Sequence, residues 1–117
     1  MRVYVYFNLH KKVWSVRALE GARKGRVIAH RTDLELADCT FKVSEPGRQR
    51  VLREKRKNVH AGIVGTLMDS PAPMPLPRRI TYCPYRYNSF VDVETLEPQS
   101  GAQWVSFTAT GVCASAH

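Results

Sequence analysis

Residues 69–77 read DSPAPMPLP, with proline at every second position from 71 to 77. Proline lacks an N–H donor and fixes its own φ, so this run cannot be helix and cannot sit inside a sheet. The regular structure of a 117-residue chain must therefore form on either side of it. The run itself is expected as an extended arm or loop on a surface, and such an arm is a candidate for reaching a neighbouring subunit. The length suggests one domain, residues 1–117, with a thin core.

The flanking segments are mostly strand-like. RVYVYFN (2–8) is rich in β-branched and aromatic residues, and both of its faces are bulky, which predicts a strand covered on both sides. VWSVRAL (13–19) follows a short polar link, so the two predict a hairpin. EGARKG (20–25) reads as a turn. RVIAH (26–30) and DLELADC (33–39) predict two further strands, and in the second Leu34 and Leu36 alternate with acids as on a half-buried edge. FKV (41–43) continues it. SEPG (44–47) has a helix start: Ser44 suits the N-cap, and Glu45 and Pro46 suit the first turn. The helix is expected to run to about Lys57, with Asn58 as a C-cap. VHAGIVGTLM (59–68) reads as a strand, weakened or bulged at Gly62 and Gly65. Past the prolines, 78–85 and 89–94 are strand-like, 96–102 is a turn, and 103–113 is a last strand. The expected fold is α+β: a mostly antiparallel sheet, one main basic helix after five short strands, and a proline-rich arm.

Charge is unevenly distributed. Up to residue 60 there are 15 Lys/Arg and 6 Asp/Glu; from residue 61 there are 3 and 4, which together give the net +8 of the chain. The positive field belongs to the first half and favours an anionic partner such as a nucleotide or nucleic acid. Three cysteines, Cys39, Cys83 and Cys113, form no CxxC motif, which argues against a disulfide framework or a zinc site. No apolar run approaches the roughly 18 residues of a membrane span. The first ten residues lack the n-region and long h-region of a signal peptide, so the expected location is the cytoplasm.

No catalytic residue is expected. His10, His30, His60 and His117 sit in no catalytic motif, no GxSxG, HExxH or P-loop occurs, and the acids are scattered. Neither a metal site nor a cofactor is expected.

Two clusters suit binding. In residues 48–57, Arg48, Arg50, Arg53 and Arg56 accompany Lys55 and Lys57, with Glu54 the main local counter-charge. Arginine grips phosphate with paired hydrogen bonds, so this helix is a candidate phosphate surface as well as a candidate solvated face. The second cluster, RRITYCPYRYNSF (78–90), packs three tyrosines, three arginines, an asparagine and a phenylalanine into thirteen residues. Aromatic rings stack on bases, and amides read base edges. The same pattern also suits a strand–turn–strand whose tyrosines cover the core. NLHKK (8–12) adds Asn8, His10, Lys11 and Lys12 at a hairpin end.

The series VYVYFNLHKKVWSV, FKVSEPGRQRVLREKRKNVHAGIVG and ITYCPYRYNSF resembles the blocks of the first-described family of anti-Thoeris phage proteins. The resemblance covers the chain to about residue 94. It implies a non-enzymatic sponge that binds cyclic ADP-ribose isomers made by bacterial immune enzymes. It implies dimers assembling into hexamers with interfacial pockets, and in some members a second, basic site for cyclic oligonucleotides. The host bacterial cytoplasm would be the place of action. Joined to the two clusters, it suggests Asn8, Tyr82, Tyr85, Arg86, Asn88 and Trp104 for a cyclic ADP-ribose type ligand. Arg53, Arg56, Lys57 and Asn58 are then the candidates for cyclic oligonucleotide phosphates. The alternative is a small basic nucleic-acid-binding protein using the same helix along a phosphate backbone.

Overall fold

The computed structural model describes residues 1–115. Four strands come first: β1 (Arg2–Asn8), β2 (Val13–Ala18), β3 (Val27–Arg31) and β4 (Leu34–Val43). The helix α1 (Glu45–Glu54) follows, then β5 (Ala61–Leu67), β6 (Pro77–Thr81), β7 (Phe90–Asp92), β8 (Pro98–Gln99), β9 (Gly101–Thr108) and β10 (Gly111–Ser115). All ten strands form one sheet in the order β3-β2-β1-β5-β4-β9-β10-β6-β7-β8, antiparallel throughout. The α+β expectation of a mostly antiparallel sheet with one helix holds at that level.

The sheet curls. Three strands separate β2 from β9 in the sheet order, yet the Trp14 and Phe107 rings lie 5.0 Å apart, and Trp14 Nε1–H donates to the Thr108 carbonyl at 3.0 Å. Curling wraps the core inside one face. Val3, Val5, Val16, Leu34, Leu36, Phe41, Ile63, Ile80, Val105 and Phe107 are buried there. A strand lining such a face needs one apolar side, and β-branched and aromatic residues at alternate positions supply it.

Several expectations require correction. Four strands, not five, precede the helix. The strand carrying Leu34 and Leu36 is no edge: β4 lies between β5 and β9. Its alternating acids mark a solvated sheet face, which an interior antiparallel strand also has. The bulge expected at Gly62 or Gly65 falls instead in β4, where the register shifts between Ala37 and Thr40 and Asp38 takes φ 53°. Gly62 serves close packing, since a Cβ there would lie 2.5 Å from the Tyr4 ring. The first strand is not covered on both sides: Tyr4 and Tyr6 are half-buried, and Phe7 is 37% exposed. Residues 103–113 are not one strand; they divide into β9 and β10 across a tight turn. The strand expected over 78–85 ends at Thr81.

The helix starts as its sequence requires, with the Gly47 amide donating to Ser44 Oγ at 3.3 Å. It stops three residues early. Lys55 adopts the left-handed conformation and its amide donates to the Val51 carbonyl, closing the helix there. A helix that buries Val51 alone gains little by extending into three consecutive cations. Asn58 is therefore not the C-cap. Residues 71–76 carry no regular structure, but Pro77, expected to stay outside any sheet, opens β6 between β10 and β7, at the first-residue position a strand tolerates. The Ser115 hydroxyl donates to the Pro75 carbonyl and ties the arm to β10.

Candidate functional site

The helix and the loop after β6 are fastened together. Arg48 Nε–H is shared between the Pro84 and Tyr87 carbonyls, each at 3.0 Å, while Arg48 Nη1 reaches Glu45 Oε1 at 2.9 Å. With only 17% of its side chain exposed, Arg48 is a clamp rather than a free phosphate ligand. Within the loop, the Arg86 and Tyr87 amides both donate to the Cys83 carbonyl. The segment after the helix is tied down too: the Ser44 amide donates to the His60 carbonyl at 2.7 Å.

Between these segments and the end of β1 lies a cavity of about 500 Å³. Phe7, Leu9, Val51, Val59 and Ala61 form its apolar side; Lys57, Asn58, His60, Tyr82, Cys83, Pro84 and Tyr85 complete it. That volume falls in the ordinary range of small-molecule sites, which combine apolar walls with a few placed polar groups. A second cavity of about 260 Å³ lies inside the curl and shares Phe7, Ala61 and Tyr82 with the first.

His60 is 9% exposed and bonded at both ring nitrogens. Its Nδ1 lies 2.7 Å from Asn58 Oδ1, and its Nε2 lies 2.6 Å from the Tyr82 hydroxyl. The Asn58 amide is oriented by its own Nδ2–H, which donates to the Gly47 carbonyl at 3.1 Å. Burial pushes the Tyr82 phenol up to about 12, since leaving water disfavours the phenolate. The ring packs edge-on against His60 and tilted against Phe90, with centroids 5.4 Å and 5.5 Å away.

The structure regroups the residues singled out from sequence. Tyr82 and Tyr85, assigned to one site, share the cavity with Lys57 and Asn58, assigned to the other. Trp104 is far along the sheet, on β9 opposite Ala37 and Ser115. Asn8 caps the β1–β2 hairpin: its Oδ1 accepts from the His10 and Lys11 amides, and its Nδ2 donates to Ser15 Oγ. Asn88 lines a separate hollow with Phe41 and Gln99, and Arg86 is exposed on the loop. Arg53 and Arg56 are exposed beyond the cavity wall; Arg53 and Arg50 each approach Glu54 at 3.6 Å. His60, Phe7 and Leu9 were not anticipated as site residues, and Arg48 was anticipated only as part of the phosphate surface. The pattern Asn58-Val59-His60 carried the signal for His60, because extended backbone puts alternate side chains on one side. Among the described residues, no group of three or more His, Cys, Asp or Glu could hold a metal ion, and no helix is long and apolar enough to cross a membrane. His117 lies outside the described residues.

The family described as "Mycobacterium phage L5 gene 82 protein" matches residues 1–115. The Gene 82 protein of Mycobacterium phage L5 is 43% identical over 121 residues, an alignment covering 98% of this chain and 96% of that protein. No solved structure matches the chain. With nearly the whole length aligned at that identity, the chain belongs to the phage L5 gene 82 protein family.

Proposed function

We propose that this phage-family protein is a non-enzymatic sponge, which binds and sequesters a cyclic nucleotide immune signal in the bacterial host cytoplasm. The observation that carries the reading is the joint cavity: Tyr82 and Tyr85 offer rings for a base, and Lys57 and Asn58 bring a cation and an amide to the same wall. The exposed cations beside it, Arg53, Lys55 and Arg56, add a field that attracts phosphate. One site thus replaces the two suggested by the sequence. The ligand class, cyclic ADP-ribose isomers or cyclic oligonucleotides, comes from the resemblance to anti-Thoeris proteins. The same resemblance suggests dimers assembling into hexamers.

Calorimetry with a panel of cyclic nucleotides tests the reading, with duplex DNA as the comparison. Binding of a cyclic nucleotide, followed by release of the unchanged compound on heat denaturation, is the expected result. Release of a cleaved product would mean an enzyme. Binding of duplex DNA alone, weakening steeply with salt, would favour the second reading, a nucleic-acid-binding surface built on exposed Arg50, Arg53 and Arg56.

A further inference from the structure

The hydrogen-bond chain in the cavity wall has a fixed polarity, set at the Gly47 carbonyl. The Gly47 carbonyl can only accept, so the Asn58 side chain must point its Nδ2–H there and turn its Oδ1 toward His60. His60 Nδ1 then faces two acceptors, Asn58 Oδ1 at 2.7 Å and the Asn58 carbonyl at 3.3 Å, and must carry the proton. A neutral imidazole has one N–H, which leaves Nε2 as a bare lone pair. The Tyr82 hydroxyl, 2.6 Å away, must therefore donate its only proton to Nε2. What remains on the phenolic oxygen is acceptor capacity. Tyr82 and His60 both form part of the cavity wall.

We infer that Tyr82 presents to the cavity a hydrogen-bond acceptor and no donor, and that the bound ligand meets it with an amino group such as the exocyclic amine of adenine. The inference rests on the cavity being a nucleotide site, as proposed above. Its logic is one of discrimination. A base with a carbonyl or a bare ring position at that point sets lone pair against lone pair, or leaves the phenolic oxygen without its partner. Lys57, on the same wall, is a donor with no acceptor capacity and selects for anionic groups instead. The cavity therefore divides its chemistry, with a donor for phosphate at Lys57 and an acceptor for the base at Tyr82.

The test compares adenosine 5′-monophosphate with purine riboside 5′-monophosphate, which differs only in lacking the amino group. Both are titrated into the intact protein at about pH 8, above the ordinary imidazole range. The adenine nucleotide is expected to bind roughly tenfold more tightly, the effect of one hydrogen bond in a half-open site. In Tyr82→Phe, which keeps the ring, both nucleotides should bind with equal affinity. Equal binding to the unaltered protein would overturn the inference while leaving the cavity as a nucleotide site. A tenfold preference that persists in Tyr82→Phe would also overturn it, by removing Tyr82 as the acceptor. Failure of both nucleotides to bind would overturn the inference together with the site.

Discussion

Gly47 and His60 fit together because Gly47 has no side chain: a Cβ at that position would lie 2.5 Å from the Cβ of His60. The contact joins the first turn of the helix to the wall of the cavity. It also inverts an ordinary expectation. Alanine in place of glycine inside a helix normally stabilises, by about 1 kcal/mol. Here Gly47→Ala should destabilise by about 1–3 kcal/mol, because both clashing atoms are rooted in backbone and something must shift. A thermal melt reads the sign directly; a rise in Tm would contradict the packing described.

Arg48 should matter as a clamp. Arg48→Lys keeps the charge but loses the guanidinium Nε–H that the Pro84 and Tyr87 carbonyls share. The expected cost is about 1–2 kcal/mol, with faster limited proteolysis within residues 82–88. Unchanged cleavage in this loop would mean that it holds its shape without the helix.

Lys57 and the outer arginines should separate in their effects on binding. Lys57→Ala removes the cation in the cavity wall and should weaken a bound cyclic nucleotide by about tenfold. Arg53→Ala with Arg56→Ala removes more charge but only from exposed positions outside the wall, so its effect should be smaller and should fade as salt is raised. Titrations at low and high salt distinguish the two. A double variant that loses more affinity than Lys57→Ala, at high salt as well as low, would move the phosphate contacts onto the helix.

Alkaline titration should find Tyr82 late. Its phenol is pushed up to about 12 by burial, above the ordinary value of 10.0. The protonated form is thus favoured by folding, so the contribution of Tyr82 to stability is full below 10.0 and is lost as pH rises toward 12. Ultraviolet difference titration should show a tyrosinate component near that upper limit, absent from Tyr82→Phe. If Tyr82→Phe instead removes a component near 10.0, Tyr82 sits in water.

Cys39 should be the unreactive thiol. It is 7% exposed, and burial pushes its pKa to about 12, so almost none is thiolate at neutral pH. Cys83 and Cys113 are only partly buried. A disulfide-exchange reagent should label those two first and reach Cys39 only on unfolding. Three native thiols reacting at one rate would rule out the burial of Cys39 in the core.

Much of this protein was legible locally. The prolines kept residues 71–76 out of regular structure, because a missing N–H and a fixed φ act within the residue itself. Ser44 set the start of the helix, because an N-cap needs only the next turn. β-Branched and aromatic residues marked β1 as a strand for an equally local reason. What tertiary structure decided is everything that depends on which segments meet. The helix end at Lys55 reflects how little apolar surface the helix buries, and the interior place of β4 reflects its pairing with strands far along the chain. The regrouping of the site is the clearest case. Asn8 and Trp104 look as suitable as Tyr82 in sequence, but the hairpin claims the first, and β9 carries the second away from the cavity. Asn58, His60 and Tyr82 instead come together across 24 residues, because buried polar groups must find partners wherever the curled sheet brings them within reach.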